Sequence, residues 1–192
     1  ADGLENVRAQ EVMVPHWVRG EESLRMVSPY ERDFPMLGLG GSIATPSEGI
    51  RGEVYVVGSL EELQADPGRA RGRIVLFDVP FTSYGETVRY RTNGAVWAAQ
   101  AGAVASLIRS VTPYSMQTPH TGNSRYEPEV PKIPHAAITL EDAMLLHRMQ
   151  DRGEVVEVLL KMEAETLPEV PSENVMAEIR GWEHPEQVVV LG

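Results

Sequence analysis

Ile74-Val75-Leu76-Phe77 is an unbroken apolar run, bracketed by Arg73 and by Val79-Pro80. A strand sends alternate side chains to opposite faces, so a run with no polar member needs cover on both. A second run, Glu53-Val54-Tyr55-Val56-Val57-Gly58, is rich in β-formers and also reads as a buried strand. Between the two lies Ser59-Leu60-Glu61-Glu62, a capping-box pattern that predicts a short helix to about Ala65, ended by Asp66-Pro67-Gly68.

The same alternation of strand and helix signals continues downstream. Thr92 or Asn93 is expected to cap a helix running to about Ala101, with Gly102 at its C′ position. Ala103 to Ile108 fits either a continued helix or a strand, and Gly102 together with the shortness of the run favours the strand. Six residues of proline or glycine punctuate 111–135, which predicts a long loop. Ala136-Ala137-Ile138 follows, then Thr139-Leu140-Glu141-Asp142, a second capping pattern whose helix turns Leu145, Leu146 and Met149 inward and ends before Gly153. Val156, Val158, Leu160 and Met162 alternate with Glu157, Leu159, Lys161 and Glu163 as in a half-exposed strand.

The two ends of the chain differ from this middle. Val7 to Val14 alternates and reads as a strand that Pro15 stops. Pro15, Pro29, Pro35, Pro46 and the glycines at 38, 40 and 41 predict an irregular or short-stranded crossing over 15–52. Asn174 to Arg180 and Gln187 to Leu191 read as two strands of a hairpin. The apolar run Val188 to Leu191 calls for partners on both faces, so residue 192 is not expected to be a natural terminus. The fold expected is mixed α/β (α+β) and strand-rich, with a β-sandwich or barrel-like core flanked by short helices.

Charge and composition narrow the function. The 192 residues carry 28 Asp and Glu against 17 Lys and Arg, a net charge of −11, so the basic footprint of a nucleic-acid binder is missing. There is no cysteine, which excludes disulfides, thiolate metal sites and a cysteine nucleophile without fixing the compartment. No apolar run approaches the ~20 residues of a membrane span. No G-x-S-x-G elbow is present, and Gly38 to Gly41 lacks the spacing of a phosphate loop. His16, His120, His135, His147 and His184 include no pair at the spacing of a helical zinc site, and His147 is expected on the exposed side of its helix. The acids are dispersed, with no pair marked for proton transfer.

One segment stands apart. Phe81 to Gly94 follows a buried strand, leads into a helix, and holds Tyr84, Arg89, Tyr90 and Arg91. An arginine placed there either grips a carboxylate bidentately or forms a surface ion pair.

Strand, arginine-bearing segment, Asn93-Gly94-Ala95, Ala98 to Ala103 and Ser106-Leu107-Ile108 together resemble a protease-associated (PA) domain. Val130-Pro131-Lys132-Ile133-Pro134 before the next apolar run fits the same pattern. Val14 to Gly20, Pro35 to Gly40, Tyr90-Arg91-Thr92, Ala105 to Ser110 and Pro119 to Gly122 are similar to the plasma glutamate carboxypeptidase type of zinc exopeptidase.

The resemblance implies a non-catalytic lid that shapes the cleft of a metallopeptidase. It implies strands shared with the catalytic domain at 1–20 and 169–192, and a PA domain over 21–168. It implies no catalytic residue, metal ligand or cofactor in this chain, and two zinc ions in a longer parent whose ligands lie downstream. Arg91, with Tyr90 and Asn93, is the implied substrate contact, by similarity to the prostate-specific membrane antigen type. The implied partners are the catalytic domain of the same parent and its peptide substrate, and the implied location is secreted or periplasmic. A protein-interaction module, with a possible homodimer, is the alternative, because sheet edges left open can pair with one another.

Overall fold

The computed structural model describes residues 3–192. The chain divides into two compact units, one of 17–166 and one of 1–16 with 167–192.

In the larger unit, eight strands form one sheet in the order β3-β2-β9-β5-β6-β7-β8-β4. Their ranges are β2 Glu22–Ser28, β3 Arg32–Phe34, β4 Met36–Gly38, β5 Ile50–Val57, β6 Ile74–Phe77, β7 Ala105–Arg109, β8 His135–Ile138 and β9 Glu157–Met162. The helices are α1 Leu60–Ala65, α2 Tyr84–Gln100 and α3 Leu140–Asp151. β5, β6, β7 and β8 run parallel in sequence order, and the remaining pairings are antiparallel. The sheet's two outermost strands, β3 and β4, are separated along the chain by Pro35 alone. The kink at Pro35 sends one strand to both ends of the sheet, which nearly closes into a barrel.

The apolar runs are explained by what covers each face. Val54, Val56, Ile74, Leu76, Leu107 and Ile138 join Leu24, Met26, Val158 and Leu160 in one core, to which α3 adds Ala143, Leu146 and Met149. Tyr55, Val57, Val75, Phe77, Ile108 and Ala137 point the other way, against Leu63 of α1 and Ala95 and Ala98 of α2. Alternate residues of one strand therefore enter different cores. The edge of β5 that β9 leaves free is filled by a side chain. The Gln150 amide accepts from the Val56 N–H (2.8 Å) and donates to the Val56 carbonyl (2.9 Å), as a neighbouring strand would.

Both capping patterns read at 59–62 and 139–142 are present: Ser59 Oγ accepts from Glu62 N–H and Thr139 Oγ1 from Asp142 N–H. Gly102 closes α2 with φ +85°, the left-handed turn that glycine adopts without a Cβ penalty.

Three expectations are corrected. The first strand, β1 Glu5–Val18, does not stop at Pro15, because in the two-stranded sheet it forms with β10 (Glu165–Glu178) one edge needs no N–H donor. The second concerns α2, which begins at Tyr84, eight residues before the expected cap. Third, Gln187 to Leu191 forms no strand: Val188, Val189, Val190 and Leu191 are 83–91% exposed and pair with nothing among the described residues.

Candidate functional site

The early start of α2 decides where the expected substrate-contact residues stand. Ser83-Tyr84-Gly85-Glu86 is itself a capping box, and Ser83 Oγ accepts from Glu86 N–H (3.3 Å). Thr92 and Asn93 turn back on the helix instead of capping it, donating to the carbonyls of Val88 and Arg89 (3.2 Å each). Arg91 is therefore a helical residue and not a loop residue.

At about 100° per residue, neighbouring side chains leave a helix in different directions. Tyr90 packs with Phe77 and Trp97, at ring-centroid distances of 5.7 and 5.5 Å. Asn93 donates one N–H to its own helix, at the Arg89 carbonyl. The structure thus separates Tyr90 and Asn93 from Arg91, which alone reaches across to the loop between β7 and β8.

Arg91 is held at several points. Its Nη1 donates to the Thr121 carbonyl (3.2 Å) and its Nη2 to the Tyr84 hydroxyl (2.7 Å). The guanidinium carbon lies 5.6 Å from the centroid of the Tyr84 ring, within cation–π range. Its Nε is buried with no partner. Gly122 passes so close that a Cβ there would collide with the guanidinium, and its carbonyl accepts from Gly40 N–H (2.8 Å). A second arginine meets the same loop: Arg19 donates to Thr121 Oγ1 (3.1 Å) and, through Nε and Nη2, to the Gly38 carbonyl (3.2 Å each). In a chain of net charge −11, two guanidinium groups converge on one residue.

Beneath α2 lies His135, fully buried. Its N–H donates to Ser42 Oγ (2.9 Å). One ring nitrogen faces the Ser106 carbonyl (3.2 Å) and the other the Arg91 carbonyl (3.1 Å). Burial lowers its pKa to about 4, against the pull of the two carbonyls, so the ring is neutral. Gly94 admits the ring, since an added Cβ would lie 3.1 Å from His135 Cε1.

A second polar cluster sits where β6 and β7 end. Asp78 pairs with Arg109 Nη1 (3.1 Å) and with His147 Nδ1 (2.7 Å). His147 is thus tied to a buried carboxylate and is not the free surface residue expected. Nothing local in the sequence signals this pairing, because its members stand 31 and 69 residues apart.

A cavity of about 530 Å³ is lined by Glu21 to Ser23, Ala44 to Ser47 and Lys161 to Glu163, away from Arg91. Burial raises the pKa of Glu22 there, offset by the Gly38 N–H and by Arg19. Among the described residues no three His, Asp or Glu side chains converge as metal ligands.

No protein-family model matches the chain. It is 54% identical over 190 residues to carboxypeptidase Q of Xenopus laevis, covering 99% of this chain and 40% of that protein. It is 52% identical over 190 residues to carboxypeptidase Q of Homo sapiens, with the same shares covered. Among solved structures it is similar to a peptidase M28 precursor from Shewanella amazonensis, with a TM-score of 0.88 and 36% identity over 94% of this chain and 42% of that one. A zinc aminopeptidase from Bacillus subtilis aligns with a TM-score of 0.59 and 25% identity, over 93% of this chain and 38% of that one. The chain spans about two-fifths of the length of the curated relatives it matches. Over almost its whole length it is homologous to a segment of carboxypeptidase Q, as the short motifs indicated.

Proposed function

From this homology we propose that the chain is the non-catalytic, protease-associated part of a zinc exopeptidase, a lid that shapes the substrate cleft. The observation that carries the proposal is identity above 50% over 99% of the chain to a protein more than twice its length. The zinc ions and the groups that move protons then belong to the rest of the protein, which is exported as carboxypeptidase-like enzymes of this type are expected to be.

Within the lid, Arg91 is the residue that meets the substrate. A peptide's terminal carboxylate is a planar pair of oxygens, and a guanidinium matches it with two parallel N–H donors. Tyr90, packed on Phe77 and Trp97, and Asn93, bonded to the Arg89 carbonyl, leave the helix in other directions than Arg91.

The test is to incubate the purified chain with dipeptides and zinc. No turnover and no tight zinc binding are expected. Hydrolysis that survives purification and disappears on substitution within these 192 residues refutes the proposal.

A second function, self-association, is favoured by one observation. Val188 to Leu191 and Trp182 are 83–91% exposed, and large apolar side chains left in water favour association. Sedimentation distinguishes the two: a dimer that persists on dilution supports an interaction role, and a monomer opposes it.

A further inference from the structure

We infer that Tyr84, Gly122 and His135 are positioning residues that build Arg91 into a preformed carboxylate receptor. The inference rests on Arg91 meeting the substrate's anion.

Donor arithmetic supports it. A guanidinium has five N–H groups: one on Nε and two on each terminal nitrogen. One N–H of Nη1 is spent on the Thr121 carbonyl and one of Nη2 on the Tyr84 hydroxyl, while Nε is buried without a partner. One donor therefore remains on each terminal nitrogen, the number that two carboxylate oxygens require.

The remaining contacts remove the freedom that a long side chain would otherwise lose on binding. The Tyr84 ring lies under the guanidinium, seven residues earlier on the same helix, and is half exposed. Gly122 packs against the guanidinium with its backbone, an approach that any side chain would prevent. The Thr121–Gly122 segment cannot drift, because Gly40 donates to its carbonyl and Arg19 to the Thr121 hydroxyl. His135 packs against the helix at the same residue from below, its Nε2 3.1 Å from the Arg91 carbonyl, and the neutral tautomer that carries its one N–H there donates to that carbonyl. An arginine ordered in advance pays little further entropy when its ligand arrives.

Two readouts test this. The first is rotation of the Arg91 guanidinium in the 192-residue chain, followed by nitrogen-15 NMR. Slow rotation with distinct Nη signals is expected in the unaltered chain. Averaged signals are expected in Tyr84→Phe, which keeps the ring and loses the hydroxyl, and in Gly122→Ala, which displaces the group. Because Tyr84 is exposed, its variant remains informative even if Gly122→Ala fails to fold. Averaged signals in the unaltered chain would overturn the inference.

The second readout is kinetics in the full-length protein that carries this segment. Tyr84→Phe should raise KM about three- to tenfold, the worth of one hydrogen bond, with kcat little changed. The effect should vanish for a substrate whose terminal carboxylate is amidated. If Arg91→Ala raises KM and Tyr84→Phe does not, the positioning role is refuted while Arg91 keeps its contact. If Arg91→Ala itself leaves KM unchanged, the substrate contact is refuted as well.

Discussion

Acid should weaken the fold through one buried ring, and the size of the effect follows from its surroundings. His135 is neutral in the folded chain because burial lowers its pKa from 6.5 to about 4. Once unfolded, the ring takes up a proton below its ordinary value of about 6.5. Between those two values the unfolded state binds more protons, so stability falls as pH falls. The contribution is complete above about pH 6.5, declines to about pH 4 and then levels off. At 1.36 kcal/mol per pKa unit the loss is about 3 kcal/mol, a large fraction of the stability of a small domain.

Many carboxylates titrate in the same window, so the measurement must be a difference. Urea unfolding of the unaltered chain and of His135→Gln at pH 7, 6, 5 and 4 isolates the ring, because glutamine does not titrate. The stability difference between the two should shift by about 3 kcal/mol across that range, in favour of the variant at low pH. A difference that changes by less than about 1 kcal/mol would refute the assignment of His135 as a buried neutral group.

Other expectations concern side chains that complete the scaffold. Gln150→Leu leaves the buried N–H and carbonyl of Val56 unpaired and should cost about 2–5 kcal/mol in urea unfolding. Gln150→Glu should come close to the unaltered chain in acid, where a protonated carboxyl both accepts and donates. It should weaken as pH rises through the raised folded pKa, and a variant more stable at pH 7 than in acid would contradict this. Asp142→Ala removes the acceptor for Arg32 (2.7 Å) and for the Thr139 hydroxyl (2.6 Å), and should cost about 2–4 kcal/mol in the same assay. Ser83→Ala removes the α2 cap and should cost about 1 kcal/mol, with faster amide exchange confined to the first turn around Tyr84.

Much of the fold is legible because its strands are short, apolar and bounded. Ile74 to Phe77 had to be covered on both faces, and two cores cover it. The caps at Ser59 and Thr139 are local patterns, and local patterns survive folding.

What could not be read depends on distant partners. The start of α2 is signalled by Ser83 and Glu86, yet Gly85, Thr87, Thr92 and Asn93 are poor helix formers, and a cap near Asn93 looked adequate. Packing of Tyr90 and Trp97 on Phe77 extends the helix where propensity does not. The run Val188 to Leu191 has strand composition, but a strand also needs a neighbour. At the site, Arg91 was visible as an arginine between a strand and a helix, while Thr121, Gly122 and His135 reach it from 30 to 44 residues away. Asp78, Arg109 and His147 come together in the same non-local way.

The most direct test of the central claim is made on the full-length protein, with residues 17–166 replaced by a short linker. Zinc content and dipeptide kinetics are then compared with the intact enzyme. A lid that shapes the cleft predicts that zinc content is retained while kcat/KM falls and the preference for a free substrate carboxylate is lost. Loss of the zinc itself, or kinetics unchanged by the replacement, would contradict the account.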